Sequence, residues 1–113
     1  MGRMWMVPVE MLCKHHLFGE HNGLHMFTGL INKKHKLDSY IKSNSLEVSA
    51  IQDRHTEVVA EILKRNYLHN TDLPTLDLEQ LSSEIQQYHV DREASLKLLL
   101  LRCEECCNRH FKR

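Results

Sequence analysis

Two glycines, Gly19 and Gly23, lie four residues apart in a segment whose apolar residues otherwise recur with helical spacing. The apolar positions, spaced by seven, three and four residues, are Leu17, Leu24, Phe27 and Ile31. Each glycine inside a helix costs on the order of 1 kcal/mol relative to alanine, so we expect this pair to serve a purpose. Residues four apart share a helix face, and two bare positions there let another backbone cross closely.

The N-terminal arm, residues 1–7, is the nearest candidate for that crossing backbone. Pro8 suits the first turn of a helix, which we predict from Val9 to about Asn32. We expect the arm to lie over the glycine-bearing face, to be held by Trp5, and to use the room left at Gly19.

Helical patterns continue through the rest of the chain, and no strand alternation appears. A second helix is predicted from a Ser49 cap to about Asn66, and Asp91 is predicted to cap a last helix. The segment SLKLLLLRCEECC, 95–107, is apolar most of the way round, so we expect it in the centre of the core.

The connections are predicted from their composition. NKKHKLDSYIKSNS, 32–45, reads as an exposed basic loop, YLHNTDLPTLD, 67–77, as a turn-rich stretch, and LDLEQLSSEIQQ, 76–87, as a short helical piece. The predicted fold is all-α: a single domain, 1–113, of three main helices and a short helical piece, with an extended N-terminal arm crossing the helices.

Charge and cysteine content narrow the protein class. Lysine plus arginine and aspartate plus glutamate are 15 each, so a polyanion site has to be a local patch. The four cysteines do not form a secreted disulfide pattern, because three of them fall within five residues. Neither a signal peptide nor a membrane span is apparent, and we expect reduced thiols in a cytoplasmic protein.

Two groups of histidines and cysteines have spacings found in metal sites, but neither forms a complete ligand set in the sequence. HNGLH, 21–25, places two histidines four apart as zinc proteases do, but lacks their glutamate. The second pattern comprises Cys103, Cys106, Cys107 and His110. It would need another ligand pair from a distant segment, so buried thiols are preferred. We therefore predict no metal and no cofactor, and a simple ion pair between His16 and Glu20.

Three stretches carry a resemblance to a known family. They are CKHHLFGEHNGLH, RHTEVVAEILKRNYLHN and YHVDREASLKLLLLR, residues 13–25, 54–70 and 88–102, preceded by an early Arg3. Together they resemble the pyrimidine dimer DNA glycosylases. The resemblance implies an all-α fold whose N-terminal segment passes between helices. It also implies an enzyme that flips a nucleotide out of damaged duplex DNA, attacks sugar C1′ with its N-terminal α-amine, and nicks the strand by β-elimination through an imine.

The resemblance also assigns residues. Removal of Met1 would make the amine that of Gly2, and an α-amine with a pKa near 7.7 to 8.0 is partly unprotonated at neutral pH. The resemblance places Arg3, His16 and Arg102 against the sugar and phosphates of the DNA. Further expected DNA contacts are Asn22, His25, Lys33 and Lys34. The essential glutamate of the family falls at Gly23, so Gly23 marks either a lost catalytic group or a site rebuilt around histidine, and Glu20, one turn earlier, is the candidate replacement.

Three functions follow for comparison. The first is a DNA glycosylase with abasic-site lyase activity, acting as a monomer on damaged double-stranded DNA in a bacterial nucleoid or a phage-infected cell. The second is a catalytically impaired DNA-binding protein of the same fold. The third is a helical interaction protein without a nucleic-acid role, whose charges are ordinary solvated faces.

Overall fold

The protein is described by a computed structural model that covers residues 2–69 and 72–112. Within these residues the secondary structure is helical, with no strand. The α-helices are α1 (Lys14–Asn32), α2 (Asp38–Lys42), α3 (Ile51–Lys64), α4 (Ser83–Gln87), α5 (Arg92–Arg102) and α6 (Glu104–Lys112), and two short 3₁₀ turns span Val9–Met11 and Val48–Ala50. The predicted all-α fold class is confirmed.

Helices α1 and α3 pack against each other at the centre of the molecule. The fully buried apolar residues of these two helices are Leu17, Leu24, Phe27 and Ile31 on α1 and Ile51, Val58 and Ile62 on α3. They repeat every three, four or seven residues, which gives each helix one continuous apolar face. The core predicted from the first helix is therefore confirmed.

The start of α1 differs from the prediction. The chain forms a 3₁₀ turn after Pro8, and α1 begins only at Lys14, where the Cys13 sulfur caps the helix by accepting from the His16 N–H. The second helix likewise begins at Ile51 without a side-chain cap, so the predicted role of Ser49 is wrong. The predicted Asp91 cap is confirmed, since its carboxylate accepts from the Ala94 N–H at 3.1 Å.

The last helical segment is not the core helix that its composition indicates. Backbone angles of Cys103, φ −133° and ψ 109°, are extended and divide the segment into α5 and α6. Leu99 is fully buried, but Leu101 is 86 % exposed. The apolar run therefore covers one side of the core as an amphipathic element.

The connections are more ordered than expected. The basic stretch after α1 contains the short helix α2, so its prediction as a loop without a helix is wrong. The short helical piece is confirmed by α4, whose Ser82 cap accepts from the Ile85 N–H. Within the predicted turn-rich stretch, residues 70 and 71 lie outside the described residues.

Glu47 joins the segment after α2 to the segment before α5. Its carboxylate, only 5 % exposed, accepts from the Val90 N–H at 2.8 Å and from Arg92 at 3.1 Å, and the His89 ring lies 3.2 Å away. Burial alone would raise the pKa of Glu47, but the hydrogen bonds from Arg92, Val90 and His89 outweigh it and lower that pKa.

Replacing Glu47 with glutamine is expected to lower the free energy of unfolding by about 1 to 3 kcal/mol at neutral pH. The pKa of Glu47 is lower in the folded than in the unfolded state. The stability that its carboxylate contributes is therefore fully present at pH values above its unfolded-state pKa, and it is lost as the pH falls through its folded-state pKa. Urea unfolding at several pH values measures the difference between wild type and Glu47→Gln, which should shrink in acid. The exposed Glu79→Gln is the control, and an equal effect of both variants would contradict the assignment.

Candidate nucleic-acid interface and active site

The N-terminal arm crosses α1 at Gly23. A Cβ atom added to Gly23 would lie 3.2 Å from the Arg3 nitrogen and 3.3 Å from the Gly2 Cα. A Cβ added to Gly2 would approach the Gly23 Cα to 2.8 Å, closer than real Cβ atoms come. The bare surface used by the arm is thus at Gly23, and the expectation that Gly19 makes this room is wrong, since a Cβ at Gly19 would meet nothing within 4 Å.

Hydrogen bonds and burial at Met4 and Trp5 hold the arm against the segment after α2 and against α5. The Met4 N–H donates to the Ser45 carbonyl at 2.7 Å, and the Met4 side chain is fully buried. The Ser95 hydroxyl donates to the Trp5 carbonyl, and Trp5 itself is buried, which confirms its predicted role in holding the arm. The arm is therefore part of the core, and its path fixes where Gly2 lies.

A pocket of about 200 Å³ opens beside this crossing. Its lining consists of Arg3, Trp5, His15, His16, Gly19 and Arg102. Burial, and then the nearby charge of Arg102, lower the pKa of Arg3. Because the two guanidinium groups repel each other, an anion placed between them would be stabilised by both. The pocket can hold a phosphate or a small anionic group.

A wider and shallower hollow adjoins this pocket along α1. It is lined by Lys14, His15, Phe18, Gly19, Asn22 and Glu105. His15 and Gly19 line both spaces, so the absent side chain of Gly19 joins them. The two glycines therefore have different roles: the missing side chain of Gly19 leaves the two spaces connected, and that of Gly23 lets the arm backbone cross α1.

Glu20 faces away from the pocket, into the core. Its carboxylate is fully buried and accepts from Arg54 at 2.6 and 2.9 Å, a two-point pair between α1 and α3. The ion pair predicted between His16 and Glu20 is therefore wrong. Since both oxygens of Glu20 are occupied, its predicted catalytic role stays a prediction that would require the pair with Arg54 to open.

The predicted DNA-binding residues fall into separate places. Arg3, His16 and Arg102 meet in the small pocket, and Asn22 lines the adjoining hollow. Lys33 and Lys34 are exposed beyond the far end of α1, about 20 Å from Gly19 at a rise of 1.5 Å per residue. They can contact a nucleic acid only if it extends along the helix.

His25 lies in a group of four imidazoles between α1, the first half of α3 and the segment that follows α3. This four-histidine cluster consists of His21, His25, His55 and His69. Its ring centroids are 4.7 to 5.4 Å apart for the contacting pairs, and each Nε2 atom is buried without a hydrogen-bond partner among the described residues. Burial, followed by the charges of the neighbouring histidines, lowers the pKa of His55 to about 4, so its ring is neutral at pH 7.

A second cluster lies where the start of α1 meets the junction of α5 and α6. This Cys₃His cluster consists of Cys13, His16, Cys103 and Cys106. Sequence reasoning missed it because the two halves are 90 residues apart. The signal was nevertheless present, since Cys-x₂-His at 13–16 and Cys-x₂-Cys at 103–106 both have the spacing of zinc ligands.

The fold and the pocket define a small helical protein whose arm crosses α1 and contributes one of the two arginines of a cationic pocket. The chain belongs to the pyrimidine dimer DNA glycosylase family, since the family model of that description matches residues 3–75, more than half of the chain. No curated protein and no solved structure matches the chain.

The family match covers the arm from Arg3 onward and helices α1 to α3, so Gly2 lies outside it. It includes Arg3 and His16, whereas the resemblance noted over residues 88–102 lies outside it, together with Arg102. The assignment of Arg102 to the site therefore rests on the pocket that it lines together with Arg3 and His16, and not on the family match. In the described residues, no helix combines the length and apolarity needed to cross a membrane.

Proposed function

We propose that the protein is a DNA glycosylase with abasic-site lyase activity that acts through the α-amine of Gly2. The observation that carries the proposal is the crossing at Gly23, which fixes the backbone of Gly2 and Arg3 on α1, while Arg3 itself lines the cationic pocket. Met1 lies outside the described residues, and its removal is part of the proposal. The partner is damaged double-stranded DNA, bound by a monomer inside the cell.

The proposed reaction starts with the unprotonated Gly2 nitrogen attacking C1′ of a nucleotide turned out of the duplex. The base leaves with the electrons of its glycosidic bond. The C1′–O4′ bond then breaks as the nitrogen lone pair forms the imine, and the released ring oxygen takes up the proton that the nitrogen loses. Removal of a C2′ proton then expels the 3′ phosphate by β-elimination. The arginines of the pocket would bind the flanking phosphates, which positions the sugar and offsets developing negative charge.

Borohydride trapping tests this chemistry. Mass spectrometry first establishes that the mature chain begins at Gly2, and the protein is then incubated with an abasic-site duplex and borohydride. A covalent protein–DNA adduct through Gly2 is the expected result, because reduction of the imine makes the bond permanent. The matched control carries an uncleaved extension before Gly2 and should give no adduct, whereas a Gly2-terminated protein without an adduct would refute the proposal.

A second function, DNA binding without chemistry, is favoured by one observation. The position of the family's glutamate holds Gly23, and the carboxylate one helical turn earlier, Glu20, is bound to Arg54. Duplex binding measured over a range of salt concentrations separates this alternative, because phosphate contacts make affinity fall steeply with salt. Salt-dependent binding without any adduct would identify it.

A further inference from the structure

We propose that the Cys₃His cluster is a zinc site that fastens the start of α1 to the junction of α5 and α6. It supplies three sulfur ligands and one imidazole, a ligand set typical of structural zinc. Two ligands come from each of two distant segments. The proposal replaces the expectation of a protein without a metal.

The distances within the cluster match tetrahedral coordination. Zinc bonds of about 2.3 Å to sulfur and 2.0 to 2.1 Å to nitrogen place two sulfurs about 3.8 Å apart and a sulfur and a nitrogen about 3.5 Å apart. The Cys13 and Cys103 sulfurs are 3.8 Å apart, and His16 Nδ1 lies 3.2 Å from Cys13 and 3.7 Å from Cys106. A sulfur separation of 3.8 Å is far longer than a disulfide of about 2.05 Å.

Backbone N–H groups surround the sulfurs as an outer layer. The Cys13 N–H donates to Cys106 Sγ at 3.2 Å, the Cys106 N–H to Cys103 Sγ at 3.4 Å, and the His16 N–H to Cys13 Sγ at 3.5 Å. Such donors stabilise thiolates and orient metal ligands. Each cysteine of the cluster therefore has a partner suited to the charged form that a metal requires.

The local backbone explains why the ligands converge. Cys13 is the capping residue of α1, so its side chain and that of His16 lie at the first turn of the helix. The extended backbone of Cys103 ends α5, and Cys106 lies in the first turn of α6. The break that divides the last helical segment thus has a purpose, because it turns two sulfurs toward α1.

Metal binding would also affect the pocket that His16 lines. A metal on Nδ1 leaves the hydrogen on Nε2, so the ring would be held in one tautomer with a donor available on its other side. The zinc site would thereby orient His16 as a positioning residue. The proposed zinc site is separate from the proposed DNA chemistry, and metal binding to it can be tested without DNA.

Cobalt substitution of the intact protein tests the zinc site. Wild-type protein titrated anaerobically with Co²⁺ is expected to show sulfur-to-cobalt charge transfer in the near ultraviolet and the intense visible bands of a tetrahedral ion. Zn²⁺ should displace the cobalt and remove both signals. Absence of the charge-transfer signal in folded wild-type protein would overturn the proposal.

Cys103→Ser and Cys107→Ser form a matched pair of variants. Both cysteines are partly buried and lie close in sequence, but only Cys103 belongs to the cluster. The charge-transfer signal should be lost in Cys103→Ser and kept in Cys107→Ser, with circular dichroism reporting the fold. In wild type, Zn²⁺ should protect Cys103 but not Cys107 from iodoacetamide until EDTA is added. Equal labelling of the two, with and without zinc, would contradict the site.

An independent observation supports a second metal site: we infer that the four-histidine cluster binds a divalent transition-metal ion such as Zn²⁺. One candidate ligand atom of each ring lies within 4.8 Å of the others. The Nε2 atoms are buried without a hydrogen-bond partner in the described part of the chain, although buried polar atoms are normally satisfied. Imidazole nitrogen is a preferred ligand of zinc, copper and nickel.

The helix geometry favours this assignment over a chance gathering of rings. His21 and His25 are four residues apart on α1 and face α3, where His55 lies in the interface, while His69 closes the group from the segment after α3. Asp72 also acts electrostatically on His55. A bound cation would give each of the unpartnered nitrogens an acceptor for its lone pair.

Metal analysis after dialysis against Zn²⁺ separates the two sites. Wild type should hold two zinc ions per chain, His55→Asn should hold one, and the cobalt charge-transfer signal of His55→Asn should be unchanged. His35→Asn, an exposed histidine outside the cluster, is the control and should hold two. One zinc per wild-type chain, or two in His55→Asn, would overturn the four-histidine site.

Discussion

Replacing Glu20 with alanine is expected to lower the free energy of unfolding by about 3 to 5 kcal/mol. Glu20 and Arg54 are 0 % and 3 % exposed, and removing the carboxylate leaves a buried guanidinium without its main counter-charge. Urea unfolding followed by circular dichroism measures the loss. Most small domains have a total stability of only 5 to 15 kcal/mol, so the variant should be close to unfolding at 37 °C.

Glu57→Ala provides the matched control. Glu57 also contacts Arg54, at 3.5 Å, but its side chain is 58 % exposed. Exposed pairs of this kind contribute about 0 to 1 kcal/mol, so the control should change stability little. A double variant, Glu20→Leu with Arg54→Met, should recover much of the loss because it removes both charges. Equal effects of Glu20→Ala and Glu57→Ala would show that the buried pair is not important for the fold.

Replacing Gly23 with glutamate is expected to raise the rate of base release from damaged DNA by about 100-fold. A carboxylate beside a developing sugar cation supplies electrostatic stabilisation of that size in a site that excludes water. The new Cβ would lie 3.2 Å from the Arg3 nitrogen, so the arm has to shift by a few tenths of an ångström. Single-turnover kinetics on a dimer-containing duplex measure the rate.

Gly23→Gln and Gly23→Ala separate charge from size. Glutamine disturbs the arm as much as glutamate but supplies no negative charge, and alanine reports the cost of the Cβ alone. Only the glutamate variant should gain activity. If glutamate and glutamine give the same rate, the carboxylate at this position does not act on the sugar, and the proposed chemistry needs a different partner for Gly2.

The sequence predicts local features of this fold well where neighbouring residues determine them. The apolar period of α1 and the Asp91 cap depend on residues within one or two helical turns, and both appear in the structure. The end of α5 at Cys103 was not predicted, because a helical apolar pattern continues through it. The break lies where Cys103 and Cys106 approach Cys13 and His16, about 90 residues away in sequence, and the periodicity of a single segment does not record such contacts.

The candidate site shows the same limit. The resemblance predicts contacts to DNA for Arg3, His16 and Arg102, and these three residues line one pocket, while their role in DNA binding stays a prediction. It could not show that Glu20 turns inward, since the partner Arg54 is 34 residues away. Patterns at 13–16 and 103–106 were individually short, and only the folded chain shows that they form one ligand set.

The crossing of Gly2 over Gly23 makes these two positions interdependent in evolution. A Cβ at Gly2 would meet the Gly23 Cα at 2.8 Å and would force the arm onto another path, whereas a Cβ at Gly23 requires the arm to shift by only a few tenths of an ångström. A carboxylate at position 23 is therefore compatible with a small displacement of the arm, provided that position 2 keeps its glycine. Directed evolution from this starting point should accordingly yield substitutions at position 23 more readily than at position 2.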